Sequence, residues 1–137
     1  MFVLRVLGSI AAVAALAACQ KVLSEAKMRP LDTLVGTEWG MADDEVDRFV
    51  AFKPGGEVVG NGGCNNFFGS FTQSGRVVTF GPLASTRKVC PDPVMQAERD
   101  WLDLLGRVRA VDATRLELRL FGEDGSELAV LRRRDWD

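Results

Sequence analysis

Apolar residues follow three rhythms along this chain. Val6 to Ala18 is a mainly apolar run. From Leu34 onward, short β-rich groups alternate with turn residues. Leu34 to Met41, LVGTEWGM, predicts a first strand with Trp39 as its core anchor. Arg48 to Lys53 and Glu57 to Gly60, joined by Pro54-Gly55-Gly56, predict a hairpin. Asn66 to Gln73 predicts an aromatic strand and Arg76 to Phe80 the next, with Ser74-Gly75 as the turn between them. Gly81-Pro82 breaks the pattern, and Ser85 to Cys90 runs extended. The period then becomes helical. Val94, Ala97, Trp101, Leu104, Leu105 and Val108 recur at helix spacing, while Gln96, Arg99, Asp100 and Asp103 cover the other side. Asp92 is placed as the N-cap, Pro93 as the first helical residue and Gly106 as the stop. The end is β again: Leu116, Leu118 and Leu120 alternate with charges, Glu123 to Ser126 turns, and Glu127 to Arg133 returns.

Strands about ten residues apart with one late helix predict a mainly β (α+β) domain. The expected form is a small antiparallel β-barrel-like domain of seven or eight strands, with the α-helix inserted before the last ones. The stretch GNGGCNNFFGSF, from Gly60 to Phe71, sits at its centre. Gly60, Gly62 and Gly63 allow positive φ or close chain approach. Phe67 and Phe71 fall on one side of the following strand and Phe68 on the other.

Composition narrows the function. The chain has 137 residues, a net charge of −2 and no histidine. Mixed charge gives no field for nucleic acid. The missing histidine removes the commonest general base, zinc ligand and nucleophile partner. Ser85-Thr86-Arg87-Lys88 matches S-x-x-K, but the companion S-D-N and K-T-G elements of that enzyme class do not occur. The glycines before Cys64 open onto a strand, whereas a phosphate loop opens onto a helix. Asp43, Asp44, Glu45 and Asp47 lack the register of a calcium loop and read as a solvated turn. Arg132, Arg133 and Arg134 read as a soluble terminus. No catalytic residue, metal site or cofactor is nominated, and the chain is expected not to be an enzyme.

The apolar run from Val6 is about 13 residues, short of the roughly 20 that span a bilayer, and it follows one basic residue, Arg5. It ends in LAAC, which resembles a bacterial lipobox. That resemblance implies cleavage before Cys19 and a diacylglycerol (palmitate-type) lipid on its thiol. Residues 1–18 are then a lipoprotein signal peptide, 19–30 the lipidated cysteine and a polar tether, and 31–137 the folded domain. Gln20 after the cysteine implies sorting to the outer membrane, with the domain in the periplasm. Cys64 and Cys90 remain. In a small exported domain they pair most simply as a disulfide. Two buried free thiols are the other reading, and a catalytic thiol lacks an activating histidine.

Three segments, taken in order, carry a family resemblance. Leu34-Val35-Gly36-Thr37-Glu38-Trp39 resembles the opening L-x-G-T-x-W of the META domain, found in the HslJ heat-shock lipoprotein family. Gly63-Cys64-Asn65 with Gly69 and Phe71 is similar to its G-C-N-x-x-x-G-x-aromatic motif. Thr86 to Cys90, followed by Glu98, Trp101 and Leu105, resembles its T-x-x-x-C segment and the next helix. Two departures stand out: Phe71 where the family commonly has Tyr, and Lys88-Val89 where it has Met-Ala. The resemblance implies a barrel-like fold, an envelope location and, for some members, a link to heat stress, antibiotic tolerance or virulence. It implies no catalytic residue.

The expected function is therefore a binding role in envelope maintenance or stress, played by a lipid-anchored monomer that engages an unknown envelope protein or lipid. The alternatives are a pilotin-like chaperone for an outer-membrane protein or lipid, and a small protease inhibitor. The chaperone needs an apolar groove, the inhibitor an exposed rigid loop.

Overall fold

The computed structural model describes residues 17–22 and 30–135. Most of the expected signal peptide and part of the tether lie outside the described residues. Residues 17–22, with Cys19, are helical and exposed. The domain runs β1 (Thr37–Gly40), β2 (Phe49–Lys53), β3 (Glu57–Asn61), β4 (Asn66–Ser74), β5 (Val77–Phe80), β6 (Ala84–Ser85), helix α1 (Asp92–Arg107), β7 (Ala110–Ala113), β8 (Glu117–Phe121) and β9 (Glu127–Arg133).

All the strand pairings are antiparallel. The order is β3-β2-β1-β9-β8-β7-β5-β4, and β4 pairs back onto β3, so eight strands close into a barrel. Closure satisfies both edges of each barrel strand. The short β6 lies along the other edge of β4, through Phe67↔Ser85 and Phe68↔Ala84. The seam between β5 and β7 is thin, with one paired position, Val77↔Ala110. Bonds from Val78 N–H to the Arg109 carbonyl (3.2 Å) and from Val111 N–H to the Arg76 carbonyl (2.8 Å) extend it.

Alternation along the strands fills the interior. Trp39, Val50, Phe52, Val58, Phe67, Phe71, Val78, Leu118, Leu120 and Leu131 point inward. Helix α1 adds Trp101 and Leu105 to the same core. The interior is thus packed with side chains.

Three local expectations are corrected. The helix N-cap is Pro91, extended at φ −55° and ψ 148°, and no side chain caps the end. Asp92 instead supplies negative charge inside the first turn, where the helix dipole favours it. Gly106 lies within the helix. The stop is Val108, whose extended backbone (φ −63°, ψ 133°) buries its side chain and turns the chain into β7. The first strand begins at Thr37, because Gly36 at φ +83° makes a turn that strand geometry forbids. Leu34, before that turn, is fully buried all the same.

Candidate functional site

The strongest convergence of polar groups lies where the β3–β4 turn, the segment after β6 and helix α1 meet. Its base is Glu98, which the helix places on its buried face, three residues before Trp101. The side chain is 4 % exposed. Its Oε2 accepts hydrogen bonds from the backbone N–H of Cys64 (3.2 Å) and of Asn65 (2.9 Å), and from Asn65 Nδ2 (3.4 Å). The turn can present two consecutive N–H groups because Gly63 stands at φ +113°. Gly62 has no positive φ. It is needed because a Cβ there would collide with the Glu98 side chain. At Gly60, likewise without positive φ, a Cβ would strike the Phe49 carbonyl and the Phe67 ring.

Asn65 carries the load outward. It is 3 % exposed, and its Oδ1 accepts from Thr86 Oγ1 (2.9 Å) and from the Lys88 N–H (2.6 Å). Its Nδ2 donates to the Lys88 carbonyl (3.1 Å). One amide therefore grips both backbone groups of Lys88. Two residues on, Cys90 is bonded to Cys64, with S–S 2.02 Å at a sequence separation of 26. The disulfide expected from the sequence is present. Together the turn, the segment and the helix form one fastening, and of the family-motif residues it unites Gly63, Cys64, Asn65, Thr86, Cys90 and Glu98.

The remaining motif residues serve elsewhere. Thr37 Oγ1 donates to the Leu34 carbonyl (2.5 Å) and accepts from Trp39 Nε1 (2.6 Å), so L-x-G-T-x-W is a turn that orients a core tryptophan. Gly69 lets Pro82 and Leu83 cross its strand. Phe71 meets Phe52 edge-on at 4.8 Å in the core, where no hydroxyl is needed. Of the three phenylalanines of β4, only Phe68, 53 % exposed, faces outward.

The acidic loop is more than a solvated turn. Asp44 is largely enclosed and binds the Arg48 guanidinium (2.9 Å) and the Arg48 N–H (2.9 Å). Arg48 in turn reaches the Ala97 carbonyl of α1 (3.3 Å). Burial by itself raises the Asp44 pKa, but the hydrogen bonds from Arg48 outweigh it and hold the carboxyl below its usual value. The i,i+4 spacing of Asp44 and Arg48 was the available sequence signal for this pair. The arginine run is also tied down: Arg132 pairs with Glu117, Arg133 with Asp135, and Arg134 with Glu38 and Asp47. Among the described residues, no cluster of three or more His, Cys, Asp or Glu could hold a metal ion.

The META domain family model matches residues 30–135. An NMR structure of a protein from Burkholderia xenovorans is similar at TM-score 0.61 and 22 % identity, covering 74 % of this chain and 84 % of that one. A second NMR structure is similar at TM-score 0.55 and 20 % identity, covering 72 % and 90 %. At such identities these likenesses establish the fold alone. No curated protein matches the sequence. The ordered motifs, the closed barrel with its inserted helix and the family match agree, and the chain belongs to the META domain family.

Proposed function

We propose that this protein is a non-enzymatic lipoprotein of the bacterial envelope, a META domain held on the periplasmic face of the outer membrane by lipid on Cys19. The observation that carries the reading is LAAC, standing directly after an apolar run too short to span a membrane. A multi-chain anchor at Cys19 would hold firmly, since two or more acyl chains exceed the marginal binding of one. The domain then acts by binding, in envelope maintenance or stress. Two features support a binding role. The best-built polar cluster spends its one carboxylate, Glu98, on the backbone N–H groups of Cys64 and Asn65 and on the Asn65 amide, so that it serves to hold the turn. That same cluster also stiffens an exposed segment beside it.

Globomycin, which blocks lipoprotein signal cleavage, tests the anchor. Treated cells are expected to accumulate the uncut precursor, and Cys19→Ser should move the protein out of the membrane fraction. Unchanged processing and fractionation in both experiments would refute the anchor.

A further inference from the structure

We propose that residues 85–91 form a substrate-like inhibitory loop for a trypsin-type serine protease, with Arg87 entering the specificity pocket. The inference deepens the binding role by naming the partner's chemistry and the residue that meets it.

The backbone shows why. After β6 the chain stays extended to Pro91, without turn or bend and without positive φ. In an extended chain, successive residues offer N–H and C=O to opposite edges. Thr86 donates its N–H to the Asn66 carbonyl (3.0 Å), and Lys88 is gripped on both groups by Asn65. The even positions thus face the barrel. The backbone groups of Ser85, Arg87 and Val89 face away, ready to pair antiparallel with a cleft that binds an extended chain. Val89 is 92 % exposed.

The side chain supplies the specificity. Arg87 is exposed and has no hydrogen-bond or acidic partner among the described residues, whereas the other described arginines are engaged. A trypsin-type pocket ends in a carboxylate and takes such a cation. The loop is held on both sides of Arg87: upstream by β6 on β4, downstream by Asn65 and by the Cys64–Cys90 bond. Rigid preorganisation is what turns a protease substrate into a tight ligand, because little ordering entropy remains to be lost. If the protease hydrolyses Arg87–Lys88, the C–N bond breaks and water supplies OH to the Arg87 carbonyl carbon and H to the Lys88 nitrogen. Both new ends stay fastened to the barrel, so they are not released and the bond can re-form.

The test is titration of trypsin with the purified full-length protein, read with a chromogenic peptide, with chymotrypsin as control. We expect near-stoichiometric inhibition of trypsin and little effect on chymotrypsin. Arg87→Leu should weaken trypsin inhibition about 100-fold, as loss of a buried anchor does, and shift the preference towards chymotrypsin. Its circular dichroism and Tm should match the parent, since Arg87 touches nothing that folds the domain. Asn65→Ala should turn the loop into an ordinary substrate, cut once per encounter and released. Trypsin running at its free rate in tenfold excess protein would overturn the proposal. So would rapid multiple-turnover cleavage of the parent loop, or inhibition undiminished in Arg87→Leu. Lipid anchoring is read on a different part of the chain, so either claim can fail without the other.

Discussion

At the scale of single residues, stability concentrates in a few buried polar groups. Glu98→Ala would leave the N–H groups of Cys64 and Asn65 without their acceptor in a closed site. Orphaned buried donors and a lost charged acceptor cost about 3 kcal/mol, which for a domain of this size lowers Tm by about 10 °C. Differential scanning calorimetry reads that shift; a change under 2 °C would mean that water replaces the carboxylate. Asp44 sets an acid limit. Its folded pKa lies below the ordinary 3.8, so its stabilisation is present above the unfolded value and is lost as pH falls through the lowered one. Hydrogen bonds from Arg133 lower Asp135 in the same direction. Urea midpoints should therefore fall as pH drops below 3.8, and Asp44→Asn should flatten the decline while costing about 1–2 kcal/mol at neutral pH. A parent midpoint unchanged from neutrality down to strong acid would contradict the pairing.

At the scale of elements, the disulfide does two jobs. It joins the β3–β4 turn to the segment that leads into α1, and it anchors the exposed loop. Closing a loop of 26 residues contributes about 3.5 kcal/mol in the chain-entropy model. Cys64→Ser with Cys90→Ser should lose stability of that order and should quicken cleavage after Arg87 and Lys88, as limited proteolysis would report. If the double variant keeps both its stability and its resistance, the bond is incidental.

Most elements were legible because their local chemistry agrees with their place in the fold. Glu127–Arg133 reads directly as a strand, and the period of α1 marks its buried face. Ala110–Ala113 escaped because AVDA has neither a clear alternation nor a turn signal before it. The roles of Asn65 and Glu98 were not legible. Their partners lie between 21 and 34 residues away, and no local rule names them. Glu98 appeared only as a motif position, since a carboxylate on the buried side of a helix conflicts with its apolar pattern until the facing N–H groups are seen.

At the scale of the whole molecule, a closed barrel filled by its own side chains would meet any partner on its outer face. The proposed inhibitory loop beside the Glu98 cluster lies on that face. Among the described residues, Pro30 bridges to Thr114 beside β7 and so ties the entry of the barrel to its sheet.

Intact mass spectrometry of the protein purified from its native envelope tests this account most directly. The predicted mass is that of residues 19–137 carrying diacylglyceryl and acyl groups, less the two hydrogens of the Cys64–Cys90 bond. A mass equal to the unmodified full chain, or one two hydrogens heavier than the oxidised lipidated form, would contradict it.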